Sequence, residues 1–89
     1  PARPTAAARP AGRPGRMSFN DKRELEALPD RIAALEAEQG ALQTRLADPA
    51  LYQQAPQEVA QIKARLEAVD GEIEAAMARW EELETRAGG

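Results

Sequence analysis

"RLADPALYQQAPQEV", residues 45–59, separates two stretches of chain that repeat leucine, isoleucine and valine at a strict rhythm. Read as a linker, it leaves two independent helices; read as a tip, it folds one helix back on the other. The residues favour a tip. Asp48 before Pro49 has the form of a helix N-cap followed by proline at the first helical position, where the missing N–H goes unnoticed. A single helical turn over 49–53 is therefore expected. Pro56 can open the second long helix, with Gln57 and Glu58 in its first turn. Leu51 and Tyr52 then either fold back over the open end of the apolar seam or form an exposed recognition tip.

The rhythm on either side is that of a heptad. Upstream it runs Leu25, Leu28, Ile32, Leu35, Gln39, Leu42, Leu46; downstream it runs Val59, Ile62, Leu66, Val69, Ile73, Ala76, Trp80, Leu83. Steps of three and four alternate, so these are a and d positions, with Gln39 the polar member. A lone helix would leave such a stripe wet, so each stripe needs the other or another chain.

Charges beside the seam select a register. Setting Leu42 opposite Val59 also sets Leu35 against Leu66, Ile32 against Val69 and Leu28 against Ile73. In an antiparallel pair the flanking partners are then Arg45–Glu58, Glu38–Arg65, Arg31–Glu72, Glu24–Arg79 and Glu36–Lys63, all opposite in sign. A slip of one heptad opposes Arg45 to Arg65, Glu38 to Glu72 and Arg31 to Arg79, all repulsive. Each exposed pair is weak, but the set as a whole discriminates. Exchanging the signs of Glu38 and Arg65 together is expected to preserve the melting temperature, and reversing either alone to lower it.

These patterns predict an all-α fold: a two-helix antiparallel coiled-coil hairpin with a short kinked N-terminal helix and a disordered basic arm. The expected divisions are a linker over 1–17, a hairpin domain over 18–86 and a tail over 87–89. Within the domain a helix spans 30–47, the tip 48–55 and the second helix 56–85. Pro29 motivates the short first helix: inside a helix it removes one hydrogen bond and clashes with the preceding turn. The spacing favours a helix over 20–28 that breaks there. Ser18 with Asp21 three residues on is a weaker form of the capping box and marks its start. The second helix outlasts the first, so Phe19, Trp80 and Leu83 can gather at the base. They would form either a satellite cluster or a docking patch for a neighbouring domain or stacked bases.

Composition narrows the chemistry. The chain has 89 residues, no cysteine and no histidine, which excludes disulfides, the familiar zinc sites and nucleophile–imidazole catalysis. No apolar run is long enough to span a bilayer and no signal-peptide core is present, so a cytoplasmic setting is expected. Residues 1–16 carry Arg3, Arg9, Arg13 and Arg16, four prolines, two glycines and no acid. This reads as a disordered basic arm, either an interdomain linker or a nucleic-acid-binding segment. A chain that starts on such a linker without an initiator Met is expected to be part of a larger protein. The chain after the arm is acidic in balance, with 15 acidic against 8 basic side chains, and "RPAGRPGR" lacks the ending and flanking strand of a phosphate loop. Glu81, Glu82 and Glu84 sit too close together on one helix to converge on a metal. The bottom-up reading is a helical interaction module without catalysis. Its positive surface is the arm, Lys22 and Arg23, helped by Arg79 and Arg86 near the base.

Residues 17–53, "MSFNDKRELEALPDRIAALEAEQGALQTRLADPALYQ", with "EVAQIKARLEAVDGEIEAAMARWEELE" after them, carry a family resemblance. The "SF…RELEALP" opening, the "LADP…Y" tip and the closing "RWEELE" resemble the C-terminal coiled-coil domain of bacterial ABC-F ATPases of the Uup type. The chain departs from that pattern at Asp21–Lys22, at Ala55 and at Met77. The resemblance implies a parent ATPase with two ATP-binding cassettes upstream, using ATP and magnesium, while this chain holds no cofactor and no metal. It also implies a contribution to DNA binding, branched DNA included, through Arg3, Arg9, Arg13, Arg16, Lys22 and Arg23. The alternative is a protein- or ribosome-docking spacer that couples to the cassettes of its own chain. Contact with the ribosome or its RNA would then run through Phe19, Trp80 and Leu83, or through Leu51 and Tyr52. A monomer without membrane contact is expected in either case.

Overall fold

The computed structural model describes residues 17–88, and within them the chain is all helix and turn. Helix α1 spans Phe19–Ala47, α2 spans Pro49–Gln54, a 3-10 turn covers Pro56–Glu58, and α3 spans Val59–Gly88. Ser18 caps α1: its Oγ accepts from the Asp21 amide at 3.0 Å, and an Asp21 carboxylate oxygen accepts from the Ser18 amide at 3.4 Å. Two otherwise orphaned donors are satisfied reciprocally.

Helix α1 does not break at Pro29. The expected short helix over 20–28 and the separate helix over 30–47 are one 29-residue helix with Pro29 inside it. The reason is tertiary. Leu25, Leu28 and Ile32, on both sides of the proline, pack into one cluster with Ala76, Trp80 and Leu83. Burying a side chain such as Leu28 contributes roughly 1.5–3 kcal/mol, so two or three of them outweigh the proline cost of about 3 kcal/mol. Pro29 itself lies exposed beside the seam, where its ring disturbs no packing.

The two long helices run antiparallel. Ion pairs join Arg45 to Glu58, Glu38 to Arg65, Arg31 to Glu72 and Glu24 to Arg79, so residues rising in number along α1 meet residues falling along α3. The apolar layers differ from the expected opposition. Leu28 groups with Ala76 and Leu83, whereas Leu35 groups with Val69 and Ile73. Helical side chains lean toward their own N-terminus, and in antiparallel helices the two leans are opposed. A side chain of α1 therefore meets one further along α3 than the residue level with its Cα. Four of the five expected flank pairs form; the fifth is Glu36 with Lys63. No ion pair joins those two among the described residues.

Two ends of α3 also differ from expectation. Pro56 opens a 3-10 turn and the α-helix proper begins at Val59, since Ala55 has no side chain with which to cap it. At the other end α3 continues through Ala87 to Gly88, residues expected to form a tail.

Candidate functional site

Each residue singled out in the sequence has a definite place. Leu83 is 0% exposed and belongs to the cluster around Leu28 and Ala76, so it has no surface to offer a partner. Leu51 is likewise buried, closing the tip. Tyr52 is half exposed and its hydroxyl donates to the Leu46 carbonyl at 2.6 Å, tying α2 to the last turn of α1. Trp80 is partly buried against the base cluster. Phe19 does not join it: the ring is 71% exposed, with the Arg23 guanidinium 5.7 Å from its centroid. The gathering expected of Phe19, Trp80 and Leu83 is thus one residue in the core, one packed partly buried against it and one outside. Arg3, Arg9, Arg13 and Arg16 lie outside the described residues.

Arg79 and Arg86 do not form a free positive surface. Arg79 holds Glu24 with two parallel bonds of 2.9 Å, and reaches Asp21 at 3.2 Å and Glu82 at 3.1 Å. Arg86 lies 3.6 Å from Asp21 and 3.9 Å from Glu82. Among the ion-paired residues described, Asp21 is the least exposed, its side chain 19% accessible. Hydrogen bonds from Arg79 hold the Glu24 carboxyl below its usual pKa and raise that of Arg79. Arg65 does the same to Glu38 through bonds of 2.6 and 2.8 Å.

The sequence carried an unread signal for the base network. Extending the heptad phase one step upstream of Leu25 places Asp21 at a d position, and a carboxylate in the seam requires a cation. Gln39, the polar seam residue, also finds a partner that pairing rules overlooked: its amide donates to Asp70 Oδ1 at 2.7 Å.

With Arg31, Arg45, Arg65, Arg79 and Arg86 committed to carboxylates, Lys22, Arg23 and Lys63 are the cations that no ion pair engages among the described residues. Two of these three are neighbours in the first turns of α1, directly after residues 1–16. Among the described residues no cluster of acidic side chains could hold a metal ion, and no helix is long and apolar enough to cross a membrane. Gly40, Gly71 and Gly88 lie within the helices.

Comparison with known proteins gives this helix pair a family. Residues 16–85 match the family described as the ABC transporter C-terminal domain. The chain belongs to that family. It is similar to the ATP-binding protein Uup of Haemophilus influenzae, 43% identical over 72 residues, covering 80% of this chain and 11% of that protein. The Uup-like ATP-binding protein of the same organism is also 43% identical over 72 residues, 80% of this chain and 16% of that protein. The ATP-binding protein Uup of Escherichia coli is 38% identical over 74 residues, 83% of this chain and 12% of that protein. The resemblance to the Uup type of ABC-F protein is shown by these matches. The chain spans less than a fifth of the length of each of these relatives. No solved structure matches it.

Proposed function

We propose that this chain is the non-catalytic accessory domain of an ABC-type ATPase and that it contributes to DNA binding, branched DNA included. The supporting observation is the distribution of committed and uncommitted cations. Five arginines are neutralised within the helix pair; of the three cations left without an ion pair among the described residues, Lys63 stands alone on α3, while Lys22 and Arg23 are adjacent and follow the arginines of residues 1–16 in sequence. Phosphate binding would thus be concentrated at one end of a rigid rod, and the helix pair would act as its mount. ATP and magnesium would belong to cassettes elsewhere in the parent, which would work in the cytoplasm.

The test is a titration of the whole chain against duplex DNA, branched DNA and ribosomal RNA at two salt concentrations. Replacing Arg3, Arg9, Arg13 and Arg16 with alanine is expected to weaken binding and flatten its salt dependence by roughly one unit of slope per arginine. Binding that ignores salt, or that survives the fourfold replacement unchanged, would overturn the reading. A chain that binds none of these probes would favour the protein-docking alternative, in which the domain acts as a spacer against its own cassettes or the ribosome. Leu83 and Leu51, two of the contacts offered for that alternative, are buried, which supports the nucleic-acid reading over it.

A further inference from the structure

Phe19 is the most exposed of the large apolar side chains, and nothing in the fold accounts for it. The base cluster closes without it, from Leu25, Leu28, Ile32, Ala76, Trp80 and Leu83. Capping of α1 is done by Ser18 and Asp21. Yet the ring is not isolated: Arg23, one turn on, lies over it at 5.7 Å. Lys22 shares that side of the helix, and neither cation has an acidic partner among the described residues. The nearest acid in the first turn, Asp21, points the other way, into Arg79 and Arg86. Glu26, one turn beyond Lys22 on the same face, bounds the patch.

We infer that Phe19, flanked by Lys22 and Arg23, is a stacking platform for an unpaired nucleobase, which adds single-stranded nucleic acid to what this end of the domain binds. An aromatic face with cations beside it is the arrangement that engages a base and its phosphates at once. A paired duplex presents phosphates but keeps its base faces covered, so it can use Lys22 and Arg23 and not Phe19. Arg23 covers one face of the ring, and the exposure of the ring leaves the other open to a base. The inference rests on the nucleic-acid reading above and adds a selectivity to it.

The test uses the whole chain, unaltered and as Phe19→Ala and Phe19→Trp, against three probes of equal length. These are oligothymidylate, the same strand with abasic sites throughout, and a duplex. Because Phe19 is exposed, all three proteins are expected to show the same helical circular dichroism. The unaltered chain is expected to bind oligothymidylate about tenfold more tightly than the abasic strand. Phe19→Ala should abolish that difference while leaving abasic and duplex affinities unchanged, and Phe19→Trp should keep it. Equal affinity of the unaltered chain for thymidylate and abasic strands would overturn the inference and leave the salt-dependent phosphate reading standing. So would a Phe19→Ala protein that still prefers thymidylate. Absence of binding to every probe would remove both.

Discussion

The two ends of the helix pair are closed by different physics. At the tip the fastenings are local in sequence. Asp48 caps α2 through the Ala50 amide at 2.9 Å, Tyr52 reaches the Leu46 carbonyl, and Arg45 meets Glu58. At the base they are remote: Asp21 and Glu24 meet Arg79, and Leu28 meets Ala76 and Leu83. A local contact needs little chain ordered before it forms, whereas a remote one carries the entropy of closing everything between. The tip is therefore expected to persist on its own, and the base to hold only while the whole pair is zipped. The base compensates with more enclosed packing. This end also carries the surface proposed to bind, so its stability and its function are linked.

The largest effect that would break this contrast comes from the base core. Leu83→Ala removes a fully enclosed side chain and is expected to cost about 3–4 kcal/mol. Leu51→Ala, at the tip, leaves a cavity that the short helix α2 can collapse into, and should cost nearer 2 kcal/mol. Urea denaturation followed at 222 nm measures both. A tip variant that costs more than the base variant would reverse the assignment of which end limits stability.

Pro29 sharpens the comparison from the opposite direction. Because α1 passes through it unbroken, the helix bears the cost of the missing hydrogen bond in the very segment that ends at the base. Pro29→Ala is expected to stabilise the chain by about 2 kcal/mol, less than the full proline penalty because the surrounding helix has relaxed around the ring. Amide exchange should slow most over the first three turns of α1 and change little in α2. No gain in stability would mean that the base half of α1 is held only by its contacts with α3.

Acid should loosen the base next. Bonds to Arg79 hold Glu24 below the ordinary value of 4.5, and bonds to Arg65 do the same to Glu38. A carboxyl whose folded pKa is depressed contributes stability that is complete above the unfolded value and is lost as pH falls through the folded one. The melting temperature should accordingly be level from neutral pH down to about 5 and decline below 4.5. Glu24→Gln should start lower and decline less. An identical decline in that variant would exclude Glu24 from the acid response.

How much of this was legible in the sequence follows the same division between local and remote. The register could be read because opposite charges flank the seam at every heptad, from Arg45–Glu58 to Glu24–Arg79. Asp48–Pro49 could be read as a cap because that signal lies within four residues. Pro29 was misread for the same reason in reverse: the proline rule is local, while the contacts that override it lie more than 40 positions away in α3. Flank pairing gives Arg79 its partner Glu24 but says nothing of Arg86, and neither the further contacts of Arg79 nor those of Arg86 can be read from matching flank positions, because Asp21 occupies the seam itself. Leu83 at a d position already said core, yet its place near the chain end invited a docking role. The same upstream extension of the heptad that puts Asp21 at d puts Phe19 at b, on the outer face, where the structure leaves it exposed.

The smallest expected effect tests whether the tip is self-sufficient. The Tyr52 hydroxyl donates to the Leu46 carbonyl, one of the last α1 carbonyls that has no amide ahead of it to bond. Removing that donor in Tyr52→Phe leaves the ring in place and exposes the carbonyl to water, which can replace the bond. The cost is expected to be about 0.5 kcal/mol, at the low end for a hydrogen bond because the site is half solvated. If the tip is closed locally, the loss should appear as faster amide exchange confined to α2 and the last turn of α1. Nucleic-acid affinity at the far end should not move. A fall in affinity, or faster exchange at Glu24 and Arg79, would mean instead that the pair transmits strain along its full length of about 44 Å, the span of 29 helical residues. The tip and base would then be a single cooperative unit and not two closures of different kinds.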